Sequence, residues 1–543
     1  MVIDPSTDQQ SQQFKAWILI LLLLVGFALF FYKVGDRDLW APDEDEYAQM
    51  SREMIRFNNW AFPTVNGQPW AIKPVLYNWL IAVVSLPWGD VNEFRARVFS
   101  SLAALGTFLA TFYLGRRLFS PLAGLLGAAV LGTSVLFLQY ARWSQTNMLS
   151  TFFMMFTVFM FYRGYTDPLK RTFSYLLMYA SVGLGVLTMG PVNIIMPGMV
   201  IFFYLIVMKD FRHIKQLRLA WGILIFLAIS MPWYVVVSLN EGYGFDLLIK
   251  TNISRYFDTW THAQPFYYYI IDLPWAFAPW SLFLPGALLL AFSKRVRDDR
   301  PALKFLLVWV ISLFLFFSFS QAKRPQYILA IYPAFALLVG YLGDKAVNCW
   351  QEKYYQKMII IPSLIFLGIL APATIALPVM AGTLFKPWFI AALGVSIITG
   401  SFAVLLWLAW RKNQARQLLF LPAIFMLVLT LYSVHVLIPK MEYYKSPKPF
   451  CEEIVAHLDK GGQWAMYRFY RAAYVYYTDS FCTVLKSEPE LEAFLKQPTL
   501  SLVVLKEKHY QGLGDSLKEK TYVLTKKNIG HRLMLLVSNQ KPS

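Results

Sequence analysis

Thirteen apolar runs, each long enough or nearly long enough to cross a bilayer, restrict this chain more than any other feature. They lie at about 16–32, 98–115, 122–139, 149–162, 175–188, 192–208, 219–239, 275–292, 305–319, 326–343, 358–380, 387–409 and 418–438. A span takes roughly 20 residues, so the runs at 149–162 and 175–188 are expected to extend into their flanking aromatics. In lipid each run must satisfy its own backbone, which leaves helices. None alternates with the period of two that marks a membrane barrel. Of the 543 residues, 57% are hydrophobic and 15% charged, against about 25% charged in soluble domains. The expected fold is mainly α: a polytopic membrane protein of about 13 transmembrane helices, with interfacial helices in the first outer loop and a small C-terminal α/β soluble domain.

The formal charge of +18 is spread in small groups between the apolar runs, so nucleic acid is not expected as a partner. Arg116/Arg117, Arg163/Lys170/Arg171, Lys209/Arg212/Lys215/Arg218, Lys294/Arg295/Arg297/Arg300 and Arg411/Lys412/Arg416 fall in one set of loops. The other set is poor in Lys and Arg. By the positive-inside rule the rich set is cytoplasmic, the N-terminus is inside, and the chain after about 440 is outside. The run at 16–32 has no clear small-residue cleavage site after it and reads as a retained span. The domains expected are 1–440, in the membrane, and 441–543, outside it. In the latter, Glu452–Leu458 and Glu488–Leu495 read as helices, and Thr499–Leu505, Thr521–Thr525 and Arg532–Val537 as strands. Cys451 and Cys482 both fall there, and either a disulfide or two free thiols fits.

Two outer loops are long, at about 33–97 and 240–274. The first holds Leu39-Trp-Ala-Pro-Asp-Glu-Asp-Glu-Tyr-Ala48. Beyond Pro42, the residues Tyr47, Met50, Met54 and Phe57 recur at helical spacing, as in a helix lying in the interface. A second amphipathic segment covers Lys73–Pro87. Four carboxylates at a helix start admit two readings: wet complements of the helix dipole, or a site in which one acts as general base. Cations recur in the same set of loops: Lys73 before Pro74, Arg255 before two aromatics, His262 before a Tyr-rich run, and Lys323-Arg324-Pro325. Singly each can snorkel to headgroups; together they can cradle a phosphate. No HExxH, Walker A or GxGxxG is present in the required context. The glycine pairs Gly124/Gly127 and Gly183/Gly185 read as close helix packing.

Pro42-Asp43-Glu44, Tyr47-Ala48 and Ser51-Arg52-Glu53-Met54 resemble the first outer loop of the 4-amino-4-deoxy-L-arabinose lipid A transferases. These ArnT-like enzymes belong to the GT-C glycosyltransferases, with the protein O-mannosyltransferases. Lys73-Pro74, Arg255, His262, Pro265–Tyr268, Leu273-Pro274-Trp275, Leu284–Ala287, Ala322-Lys323 and Tyr327-Ile328-Leu329 continue the likeness over most of 35–345. The resemblance implies transfer of a sugar from undecaprenyl phosphate to a phosphate or hydroxyl acceptor at the periplasmic face of the bacterial inner membrane. The acceptor it points to is lipid A or another glycolipid. It implies Asp43 as the catalytic carboxylate, and Glu44, Tyr47, Lys73, Asn147, Arg255, His262, Lys323 and Arg324 as substrate-binding residues.

Three positions depart from the family: Asn147 replaces an Asp, Ile72 a Glu, and Met189 a Lys. Loss of the Glu removes half of a family metal site shared with the His, so no metal ligand is assigned, no cofactor follows with certainty, and a divalent metal is doubtful. Loss of two carboxylates points to a neutral sugar rather than a cationic one. Two other acceptor or activity classes stay open, a protein O-glycosyltransferase and a transporter of lipid-linked sugar. A third reading is a structural protein whose acidic loop binds a partner. A transporter would show polar or broken helices at mid-membrane, whereas here the polar clusters sit in loops.

Overall fold

The computed structural model describes residues 17–70, 73–239, 262–459 and 461–541. A helix, or a broken pair of helices, stands at each of the thirteen apolar runs. Among the described residues eight helices are by themselves long and apolar enough to cross a membrane; the rest are shorter, bent or more polar. Side chains such as Ile361, Ile365, Ile369, Ile390 and Ile397 are exposed on these helices, as faces turned to lipid require. The two short runs do extend, to Thr146–Thr166 and Arg171–Met189.

Two spans expected as single helices are broken. Between Pro121–Gly132 and Val135–Ala141 the axis bends by 70°. Thr133 and Ser134 leave helical geometry there, and the gap is filled from outside: the Trp280 indole N–H donates to Thr133 Oγ1 at 2.9 Å and the Val135 N–H to the Ala278 carbonyl at 3.2 Å. The run at 275–292 is likewise split, by Pro279 and a short 3₁₀ turn at Trp280–Leu282. Proline removes the donor a continuous helix would need. Elsewhere the helices close on one another through glycine. A Cβ on Gly340 would stand 2.6 Å from both the Ala123 carbonyl oxygen and the Gly127 nitrogen, so only glycine allows these two helices to meet.

The chain divides into two compact units. The first comprises 1–32, 72–76 and 98–435; the second comprises 33–71, 77–97 and 436–543. The second is thus built from the first long loop and the tail. Its sheet has the order β4-β3-β5-β7-β6, with β3 (Gln463–Tyr467), β4 (Thr483–Leu485), β5 (Ser501–Lys506), β6 (Tyr522–Ile529) and β7 (Arg532–Ser538). The first three run parallel; β7 is antiparallel to β5 and β6. Phe450, Cys451, Trp464, Tyr474 and Leu502 fill one face, and Tyr467, Leu491, Phe494, Val503 and Leu535 the other. The loop residues add a two-stranded ribbon, β1 (Thr64–Val65) with β2 (Gln68–Pro69), turning on Asn66 and Gly67 at positive φ. Cys451 and Cys482 are free thiols, and burial pushes both up, Cys482 to about 12.

Candidate active site

Helix Glu44–Phe57 begins in the acidic run, and its four carboxylates have four different surroundings. Glu44 is fully buried. It accepts from Arg37 Nη2 at 2.9 Å, from Arg97 Nε at 2.8 Å and from the Trp40 N–H at 3.1 Å. Arg97, also fully buried, donates in addition to the carbonyls of Val34, Arg37 and Asp38. A buried ion pair of this kind persists only when its remaining donors are satisfied, and here they are spent on the backbone of residues 34–38. Glu44 therefore anchors the loop that delivers the helix rather than presenting its carboxylate to a substrate. That departs from the substrate-binding part expected of it, because its oxygens are engaged inside the unit.

Asp43, the residue before, is partly exposed. Its backbone sits at φ 86°, ψ −51°, a region that costs a non-glycine residue about 1–3 kcal/mol. The Glu44 anchor on one side and the chain through Trp40 and Pro42 on the other hold it there. Asp45 is buried and accepts from the Ala473 N–H at 2.9 Å, while its Oδ1 has no hydrogen-bond partner. Burial raises it to about 6. Glu46 accepts from the Trp70 indole at 3.3 Å and is pushed up to about 7 by burial and then by its neighbours Asp45 and Asp43. Tyr47 is buried edge-to-face against Tyr77, with ring centres 5.2 Å apart. The turn thus separates an anchored carboxylate, two whose charge is disfavoured, and Asp43, partly exposed like Glu46 and set apart by its strained geometry. Perturbed acids and backbone strain in one turn are what functional sites collect.

The rest of this helix is held by its own loop and by the tail. Arg52 forks onto Asp90 at 2.6 and 3.1 Å, donates to the Tyr476 carbonyl at 2.6 Å, and lies over the Tyr476 ring. Glu53 gathers Gln49, Thr64 and the N–H groups of Asn66 and Gly67. Asn66 and Cys482 exchange two hydrogen bonds at 2.9 Å.

In the first unit, three of the expected residues meet. His262, at φ 64°, opens a bridge between Ala263 and Ala322. The Lys323 N–H donates to the His262 carbonyl at 3.1 Å, and Arg324 Nη2 lies 2.6 Å from His262 Nε2. A guanidinium can only donate, so that imidazole nitrogen is the acceptor. Lys323 is buried and donates to the carbonyls of Gln264 and Ser320; burial lowers its ammonium. Asn147 lies in the first turn of Thr146–Thr166 and donates to Gln145 Oε1 at 3.1 Å. Lys73 is partly exposed in the turn before helix Leu76–Ser85. Arg255 lies outside the described residues. His262 Nε2 accepts from Arg324, and among the described residues no three His, Cys, Asp or Glu gather as a metal-ligand set.

Residues 72–235 match the family described as dolichyl-phosphate-mannose-protein mannosyltransferase. A protein of Aquifex aeolicus is 30% identical over 403 residues, 72% of this chain and 77% of its own length. The undecaprenyl phosphate-alpha-4-amino-4-deoxy-L-arabinose arabinosyl transferase 1 of Pseudomonas fluorescens is 32% identical over 335 residues, 60% of this chain and 59% of its own. The crystal structure of ArnT from Cupriavidus metallidurans bound to undecaprenyl phosphate superposes with a TM-score of 0.80 at 22% identity, covering 97% of this chain and 99% of that one. The chain belongs to the ArnT-like GT-C family. The ArnT-like fold extends over nearly the whole chain, tail included, whereas the sequence match takes in about three fifths of the Pseudomonas enzyme's length. Sequence reasoning missed the anchor Arg97 of this ArnT-like turn. An Arg carried, two residues after Arg95, into the start of an apolar helix was the signal that could have found it.

Proposed function

We propose that this chain is an inverting glycosyltransferase of the bacterial inner membrane. It passes a sugar from undecaprenyl phosphate to a periplasmic acceptor, lipid A or another glycolipid. The observation that carries the reading is Asp43: a partly exposed carboxylate fixed in a strained backbone geometry by a buried anchor. The named relatives, arabinosyl transferases that use undecaprenyl phosphate by their description, support it.

In this reaction the acceptor oxygen attacks the anomeric carbon, the new C–O bond forms, and the bond from that carbon to the phosphate oxygen breaks. Asp43 orients the acceptor and takes its proton when it is a hydroxyl. The leaving group is already a phosphodiester oxygen and needs no general acid, only cations for the phosphate monoester that develops. Lys73, Arg255, Lys323 and Arg324 are the residues proposed for that charge, with Tyr47, Asn147 and His262 shaping the sugar's surroundings. One base with cations fits a single displacement, unlike the paired carboxylates of glycosidases. Asn147 and Ile72 stand where an aminosugar enzyme carries acids, which favours a neutral sugar.

The test is transfer by purified protein in nanodiscs, using undecaprenyl phosphate sugars with and without an amino group and lipid A as acceptor. Asp43→Asn is expected to lower the rate by about 10²–10⁴-fold while expression and undecaprenyl phosphate binding hold. Wild-type transfer by that variant would remove Asp43 from the reaction. Preference for the amino sugar would refute the neutral-donor reading.

A further inference from the structure

Within the second unit a cavity of about 360 Å³ opens beside the acidic turn, inside the range of about 300–1,000 Å³ usual for small-molecule sites. Ala41 and Pro42 form one edge, so the next residue along the chain is Asp43. Four cations line it: Lys445, Arg471, Lys506 and Arg532. They arrive from four separate elements. Lys445 ends helix Ile438–Lys445. Arg471 caps helix Ala472–Thr478, whose Ala473 N–H is held by Asp45. Lys506 closes β5 and Arg532 opens β7. The β6–β7 turn is tied back to the Lys445 wall, since the Gly530 N–H donates to the Tyr444 carbonyl at 2.5 Å.

Four of the five arginines in this unit's loop segment have acid partners; the fifth, Arg95, donates to the Asp90 backbone carbonyl and lies over the Trp88 ring. Arg37 and Arg97 hold Glu44, Arg52 holds Asp90, and Arg56 holds Asp479. Among the described residues none of the four cavity cations makes an ion pair. Lys445 lies over the Trp40 ring at 4.6 Å, Lys506 over the Phe469 ring at 5.7 Å, and Arg532 Nε contacts only the neighbouring His531 ring. Two acids of the turn, Asp45 and Glu46, feel Arg471 electrostatically, but they already accept from the Ala473 N–H and the Trp70 indole. Arg532, Lys508 and Arg471 add to burial in lowering the Lys506 ammonium, as like charges with no counter-charge do. Cations kept together against their own repulsion, three of them half-buried and Lys445 exposed, call for an anion from outside. Arg471 and Arg532 can each present the planar fork that grips phosphate oxygens, and Trp40, Phe469 and Tyr474 offer apolar faces beside them.

We infer that this cavity is a subsite for a phosphorylated sugar, the phosphate-bearing headgroup of the glycolipid acceptor, held by Lys445, Arg471, Lys506 and Arg532 on the Pro42 side of Asp43. The assignment of the headgroup to the acceptor rests on the transferase reading above; the anion site itself does not.

The experiment uses the full chain in nanodiscs with the double variant Lys506→Gln/Arg532→Gln and the charge-keeping variant Lys506→Arg/Arg532→Lys. Binding is measured to bis-phosphorylated lipid A, to the same lipid after phosphatase treatment, and to soluble glucosamine 1-phosphate. The neutral variant should weaken binding of the phosphorylated lipid by at least about tenfold, the worth of one charged hydrogen bond, and raise the acceptor KM with undecaprenyl phosphate affinity unchanged. The charge-keeping variant should restore most of both. Glucosamine 1-phosphate binding as tightly as the lipid would assign the site to a free sugar phosphate and overturn the acceptor assignment. Equal binding of phosphorylated and dephosphorylated lipid, or no loss in a neutral variant that unfolds at the wild-type temperature, would overturn the inference. If phosphate-dependent binding is lost in the variant but the wild type transfers no sugar from any polyprenyl phosphate, the anion site stands and the transferase reading falls.

Discussion

Asp45 and Glu46 follow Asp43 within three residues, and each is held where its charge is disfavoured. Burial raises them to about 6 and about 7 from ordinary values of 3.8 and 4.5. The folded state therefore binds protons more tightly than the unfolded one, and the stability they contribute falls as pH rises from about 4 to about 7. Thermal unfolding of the purified protein should show that decline. The double variant Asp45→Asn/Glu46→Gln should flatten it, since the introduced amide oxygen can still accept from the Ala473 N–H. An unchanged slope in the double variant would mean neither carboxyl is perturbed. The anchor makes a different prediction. Glu44→Gln leaves Arg37 and Arg97 buried without a counter-charge and should cost about 3–5 kcal/mol, read as a fall in unfolding temperature well beyond that of Asp43→Asn. The acidic run was legible in the sequence; which of its acids is the buried anchor was not, because the deciding partners lie about 50 and 430 residues away.

At the scale of elements, local pattern carried far. The helices at the apolar runs, the entry helix after Pro42 and the strands β5 and β7 fall within a few residues of where periodicity put them. The misses share a cause. Strand β3 is buried almost throughout and β4 is only three residues long, so neither alternates. Helix Ala472–Thr478 reads Ala-Ala-Tyr-Val-Tyr-Tyr-Thr, a strand former by propensity; its burial and the Asp45 carboxylate at its start override that preference. The bend at Gly132–Ser134 was invisible because its filling comes from Trp280 and Ala278. Contact between helices is as demanding: Gly340→Leu should destabilise the membrane unit by about 2 kcal/mol or more, seen as a lower unfolding temperature in detergent. Tolerance of leucine there would show that the helices at Gly127 and Gly340 do not meet as described.

Across the whole molecule, the second unit joins the first loop, which ends at 97, to a tail that begins at 436. Arg52 and Arg56 of the loop helix bind Tyr476 and Asp479 of the tail, and Asn66 pairs with Cys482. A chain ended after Lys445 should leave that loop without its partners. Trypsin should then cut after Arg52 and Arg56 in the truncated protein but spare them in the full chain. Equal protection in both would show that the loop folds without the tail. By itself the sequence determined the solvent: its hydrophobic runs must lie in lipid as helices, and one short acidic turn must be anchored, wet or used. Only the tertiary structure decided which acids are buried, which cations find partners and which are left around a cavity. Hydrophobicity is a property of neighbouring residues and can be read locally, whereas the neutralisation of a charge depends on what the fold brings beside it from hundreds of residues away.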